Sequence, residues 1–310
     1  MALKQVIEIY EMLDRPDISG EDLRTFFIDR GLRQTRTWRV KGRRGHTDFV
    51  HILIPGKSGK TNKGPRRTLG VIGFLGGIGA RPQRTGMVSD ADGALTALAV
   101  ALKLADMQQA GDVLSGDVIV ATHICPRALM VPHHPAPFMA SPVAVGEMIP
   151  HVVDPQMDAI LSADTTRGNR VLNQKGIAIT PTVKEGYILK VSDDLLSLLE
   201  YTTGNLPKVL PITHQDITPY GNGVYHLNTI MQPCLGTTAP VIGLAITSET
   251  VIPGSATGAS QLCDIEAGTR FCIEVAKAFG EGTCQFYDPK EFNILLRRYG
   301  SMKRLQGRRS

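Results

Sequence analysis

The run Thr68–Leu75 (TLGVIGFL), the turn Gly76-Gly77-Ile78-Gly79, the stretch Asp90–Gln109 (DADGALTALAVALKLADMQQ) and the run Val118–Thr122 (VIVAT) decide the fold. The first run is short, apolar after Thr68 and closed by glycines, as a strand buried on both faces is. From Asp90 the apolar positions switch to a 3.6-residue period, and the composition turns to Ala and Leu, strong helix formers. Gly116-Asp117 then leads into a second apolar run. Strand, helix, strand in that order is a parallel crossover of right-handed sense.

Working outward, Thr47–Ile54 (TDFVHILI) reads as a strand ended by Pro55-Gly56. Leu3–Arg33 reads as two short helices, with Ser19 as N-cap of the second. On the carboxyl side the alternation continues: strand Ala159–Ala163, helix Asp193–Tyr201, strand Val209–Thr213, helix Val224–Met231, strand Val241–Thr247 and helix Asp264–Phe279. Such alternation predicts an α/β fold, a three-layer α/β/α arrangement around a mostly parallel central sheet. The expected organisation is an N-terminal helical arm (1–45), a single α/β/α domain (46–295) and a basic C-terminal tail (296–310).

Composition narrows the function classes. Apolar residues make up 42% and charged residues 20% of the 310, and no apolar run reaches the roughly 18–20 residues that cross a bilayer. The first residues lack the apolar core and small-residue site of an export signal. Five cysteines, far apart and without a C-x-x-C pair, suggest neither a disulfide framework nor a structural zinc site. A cytoplasmic protein is expected. The formal charge of +5 gathers in Lys57–Arg67 (KSGKTNKGPRR) and Arg297–Arg309, both read as mobile, solvated segments. One Trp and 5% aromatics argue against a nucleic-acid partner.

In such sheets, sites gather beyond the carboxyl ends of the strands. The loop after Leu75 carries Arg81, Arg84 and Ser89-Asp90-Ala91-Asp92-Gly93. Asp90 reads equally as a helix N-cap and as a cation ligand. After Thr122 come His123 and Cys125, after Ala163 comes Asp164, and after Thr247 comes Glu249. His133-His134 and His214-Gln215-Asp216 with His226 are weaker clusters. Gly59-Lys60-Thr61 is not a phosphate loop, because Ile54 stands where its first glycine belongs. The Gly73–Gly79 turn lacks G-x-G-x-x-G spacing, and no G-x-S-x-G elbow is present.

The stretch GFLGGIGARP followed by VSDADGALTALAVALKL resembles the prokaryotic domain-of-unknown-function family 1177. More remotely, the order of motifs is similar to the co-catalytic zinc aminopeptidases, including the tetrahedral ones. That likeness implies a zinc-peptidase-like, phosphorylase/hydrolase-like scaffold. In it Asp90 matches the metal-bridging Asp, and Asp164 matches the Asp of the third strand end. Phe74, Gly76, Cys125-Pro126 and Gly254 stand where the other ligands and catalytic acids would be.

The expectation is a metal-dependent hydrolase of small peptides, amino-acid amides or related compounds. Asp90, Asp92 and Asp164 would hold zinc or manganese, Glu249 or His123 would act as base, and Arg81 or Arg127 would pair a substrate carboxylate. The family likeness also implies a homo-oligomer. Two alternatives stay open: an inactive ligand-binding or assembly protein, and a nucleotide-dependent enzyme using the glycine turn.

Overall fold

The structure, a computed structural model, describes residues 1–74, 76–79, 86–134, 136–251 and 259–307. The chain opens with α1 (Leu3–Leu13) and α2 (Gly20–Asp29). Ser19 caps α2: its hydroxyl accepts from the Asp22 N–H, and the Asp22 carboxylate accepts from the Ser19 N–H at 2.9 Å. A hairpin follows, β1 (Thr35–Gly42) and β2 (Gly45–Ile54). Next come β3 (Leu69–Gly73), α3 (Asp92–Gln109), β4 (Val118–Ile124), β5 (Leu129–Val131), β6 (Phe138–Ala140) and α4 (Val145–Val152). The chain continues through β7 (Ala159–Thr166), β8 (Gly176–Ile179), β9 (Val183–Lys184), β10 (Tyr187–Ile188), α5 (Asp193–Thr203), β11 (Val241–Thr247), α6 (Leu262–Glu281) and α7 (Pro289–Tyr299).

The main sheet runs β1-β2-β4-β3-β7-β11-β9-β10, with β8 also on β11. Its centre, β4-β3-β7-β11, is parallel. Both flanks are antiparallel. The protein is therefore a mixed α/β fold whose large central sheet is parallel only in the middle. Alternate residues of β3 feed two cores: Val71 packs with α1, α3 and α6, while Ile72 and Phe74 pack with α4. The second face is covered unevenly, by α4, the 3-10 turn Gln232–Gly236 and irregular chain around Leu210 to Met231.

Three expectations change. The first 45 residues hold a sheet strand as well as helices, and Val6, Ile9 and Leu13 of α1 sit in the main core. The run 209–213 makes only an isolated bridge, Ile179 to Val209. No helix forms over 224–231. The apolar spacing there is helical, but Pro219, Gly221 and Gly223 precede it, both glycines at positive φ (84° and 83°), and Pro233 ends it. The Asn228 N–H donates to the Asp216 carboxylate at 2.9 Å instead of to a helical carbonyl.

The basic segments are anchored rather than loose. The buried Asp117 accepts from the Gly56 N–H (2.8 Å), the Thr61 N–H (2.8 Å) and the Thr61 hydroxyl (2.9 Å). Lys60 pairs with Asp158 at 2.7 Å, and the Arg67 guanidinium lies 3.9 Å from the Phe279 ring centroid. At the other end, α7 reaches residue 299, Lys303 pairs with Glu185 at 2.9 Å, and the Gln306 amide donates to the Cys234 and Thr237 carbonyls.

Asp117→Ala is expected to cost about 3 kcal/mol, because three donors lose a charged acceptor at once. Trypsin should then cut after Lys57, Lys60 or Lys63 under conditions that leave the parent intact. Unchanged cleavage in that segment would remove the anchoring role. Among the described residues no helix is long and apolar enough to cross a membrane.

Candidate functional site

The chain leaves β3 toward α3 on one face and leaves β4 toward α4 on the other. The crevice beyond their carboxyl ends is thus a topological switch point, where open α/β sheets bind ligands. Past β3 the chain stays extended beside the end of β4: the Cys125 N–H donates to the Gly76 carbonyl (2.9 Å), and the Ala128 N–H donates to the Gly79 carbonyl (2.8 Å). A Cβ on Gly76 would lie 1.6 Å from the His123 carbonyl oxygen, so only glycine permits this approach.

His123 is buried in that wall. The Thr47 hydroxyl gives its one proton to the Ile124 carbonyl (2.9 Å), so the 2.8 Å contact with His123 Nδ1 requires Nδ1 to donate. Nε2 then accepts from the Gly76 N–H at 3.1 Å. Both ring nitrogens are engaged in the neutral form, and burial lowers the imidazole to about 4. That arrangement suits an anchor for the glycine turn better than a general base. Burial also pushes the Cys125 thiol up to about 11, which leaves it protonated and unreactive.

A cavity of about 20 Å³ lies between Gly76, Gly77, Asp90, His123, Cys125 and the β5–β6 hairpin, room for one water or ion. Asp90 borders it from the 3-10 turn Ser89–Ala91. Neither that turn nor α3 takes a side-chain N-cap bond, so Asp90 does not act as a cap. Asp92, in the first turn of α3, accepts from the Ser260 hydroxyl at 2.5 Å. Asp164 accepts from the Thr165 N–H on Oδ1 and the Thr229 hydroxyl on Oδ2, each at 2.8 Å.

Packing draws these pieces together. A Cβ on Gly93 would meet the Ala163 carbonyl oxygen at 2.4 Å and Asp164 Cα at 3.1 Å, so the start of α3 lies directly on the end of β7. The Thr165 hydroxyl donates to the Ser89 carbonyl at 2.6 Å across the same joint. The carboxylates feel one another as a result. Burial raises Asp90 to about 7 against the opposing charge of Arg167. Burial raises Asp92 to about 8, the Ser260 hydrogen bond opposing and the charges of Asp90 and Asp264 adding. Asp164 is held well above the carboxylate range by burial and then by Asp90.

Asp90, Asp92 and Asp164 therefore form one buried acidic group around the joint of α3 and β7, with Asp90 beside His123. The other expected residues are placed differently. Arg127 is exposed at the rim, and Glu249 is exposed on the loop beyond β11, which packs on Gly168. His133, His134 and His214 are exposed. Arg81 and Gly254 lie outside the described residues. The sequence reading missed Asp264, Ser260, Thr229 and Arg167. Arg167 stood at the end of the loop that carries Asp164, without a role of its own, and Asp264 left a trace as an acid in the first turn of a long helix.

A larger cleft of about 350 Å³ opens between the N-terminal ends of α5 and α7, near Gln285. It is remote from this chemistry, because the 20 residues of α6 separate Asp264 from that end by about 30 Å. Among the described residues no three of His, Cys, Asp and Glu converge as ligands of one metal ion. Zinc, which wants about three protein ligands, is poorly matched by them. One or two carboxylates with water is a donor set for a hard cation such as manganese or magnesium.

Fold and site together define a mixed α/β protein with a buried carboxylate cluster at the switch point of its sheet. Residues 38–309 match the model of the family described as protein of unknown function (DUF1177), and the chain belongs to that family. No curated protein matches the chain.

Proposed function

We propose that the protein is a divalent-cation-dependent hydrolase of small peptides, amino-acid amides or related compounds, built on a zinc-peptidase-like scaffold. Asp90 and Asp164 would hold the cation, with Asp92 beside them. The observation that carries this reading is the cluster itself: three carboxylates buried together, each raised by burial and, for Asp92 and Asp164, further by an acidic neighbour. Gathering such groups out of water is costly unless protons or a cation neutralise them. Manganese fits this donor set better than zinc does.

A bound cation would supply a polarised carbonyl and a more acidic water. The base and substrate-anchor roles fall to Glu249 and Arg127 on loops at the same edge, while His123 positions the glycine turn. Calorimetry with manganese and zinc chlorides tests the reading. One divalent ion per chain is expected, with about 100-fold weaker uptake in Asp90→Asn and Asp164→Asn and loss of amide hydrolysis in both. A parent protein that takes up neither ion would overturn it.

The engagement of both His123 nitrogens favours a second reading, an inactive ligand-binding protein on the same scaffold. Cation uptake without turnover of any amino-acid amide would select it.

A further inference from the structure

We infer that the loop Tyr220–Leu227 is the element that recognises the ligand's side chain, selecting an aliphatic or aromatic group next to the amide. This rests on the hydrolase reading and names its substrate class. The loop is rooted in the site. The Thr229 hydroxyl donates to Asp164 Oδ2 at 2.8 Å. Leu227 is two residues away, so its Cα lies within about 7 Å of that of Thr229.

The root is also rigid. The buried Asp216 accepts from the Thr213 N–H (2.8 Å) on one side of the loop and the Asn228 N–H (2.9 Å) on the other. The Gln232 amide donates to the carbonyls of Asp216 and Thr218, both at 3.0 Å. The Tyr220 ring stacks on His226 with centroids 4.1 Å apart. A loop held this way keeps a fixed relation to Asp164.

What it presents is apolar. Val224 is 43%, Tyr225 80% and Leu227 59% exposed, three large apolar side chains within four residues. Single exposed apolar residues need no explanation, but a group of them on one short loop is the kind of patch that marks binding. Val171 (73%) and Val251 (44%) are likewise exposed, on the loops leaving β7 and β11. Those loops are joined by the Gly168 N–H donating to the Thr250 carbonyl at 2.8 Å.

Charge patterning agrees. The run from Ile217 to Ser248 contains no Asp, Glu, Lys or Arg, in a chain that is 20% charged. An exposed loop beside an acidic cluster would ordinarily carry charge for solubility. Its omission leaves a neutral, greasy rim, which favours an uncharged apolar ligand group over a charged one.

The test uses the manganese-loaded full chain, with leucinamide and glycinamide as probes and the double variant Tyr225→Ser/Leu227→Ser. The parent is expected to prefer leucinamide by about 30-fold or more in kcat/KM, since the isobutyl group is withdrawn from water on the loop. The variant should keep manganese affinity and glycinamide turnover while its preference falls to about 5-fold or less. Turnover of both amides with an unchanged preference in the variant overturns the inference and leaves the hydrolase reading standing. Loss of a dimer in sedimentation, with the preference intact, also overturns it by assigning the patch to a second copy of the chain. No manganese uptake and no turnover in the parent overturns the hydrolase reading, and the inference with it.

Discussion

Alanine in place of Gly76 is expected to cost about 5 kcal/mol or more, a large share of the 5–15 kcal/mol that holds a domain folded. The added Cβ would sit 1.6 Å from the His123 carbonyl oxygen and 2.7 Å from its carbon, both rigid backbone atoms. Relief requires the segment to move away from β4. That movement breaks the Gly76 N–H bond to His123 Nε2 and the Cys125 N–H bond to Gly76. It also opens the wall of the cavity that Asp90 borders. Gly146→Ala is the matched control: it lies in α4 with no atom within 4 Å of the added carbon, and should stabilise by about 0.5 kcal/mol. Urea midpoints by circular dichroism measure both, and a Gly76→Ala midpoint equal to the parent's would show that the close approach is dispensable.

The elements legible in the sequence were those whose signal is local and strong. Leu69–Gly73 and Val118–Ala121 are apolar throughout because the strands are buried on both faces, and Asp92–Gln109 is Ala- and Leu-rich because nearly all of that helix is covered. The region from Val209 to Met231 misled because Leu210, Ile212, Ile217, Ile230 and Met231 fill the second face of the sheet without regular structure, while Val224, Tyr225 and Leu227 between them stay exposed. Spacing alone cannot separate a helix from such a stretch when side-chain carboxylates such as Asp216 take the amide protons. The acids Asp90 and Asp164 were readable from their place after strands. That they meet was not, since it depends on Gly93 letting α3 rest on Asp164. Likewise Thr229 reaches Asp164 across 65 residues of chain, a pairing no local pattern announces.

The pH dependence of stability should carry the signature of the acidic cluster. Asp90 and Asp92 stand near 7 and 8 in the folded chain against an ordinary 3.8, and Asp164 is also raised. Each therefore favours the folded state fully below about pH 4 and loses that contribution as pH rises through its folded value. His123 works in the opposite sense: held neutral down to about 4 against an ordinary 6.5, it disfavours folding progressively as pH falls from 6.5 to 4. Between those limits three carboxylates outweigh one imidazole. Above 6.5 the imidazole no longer opposes them, and the fall steepens. The metal-free protein should accordingly be most stable in mild acid and lose on the order of several kcal/mol by pH 8. Asp90→Asn/Asp92→Asn should flatten most of that fall, because a neutral amide has no proton to lose. Manganese at 100 times its dissociation constant should restore about 2.7 kcal/mol at pH 8 in the parent and almost nothing in the variant. A parent melting temperature that stays level or rises from pH 5 to 8 without metal would mean that solvent or a basic group already stabilises the charged carboxylates, and the buried, uncompensated charge on which the cation site rests would be absent.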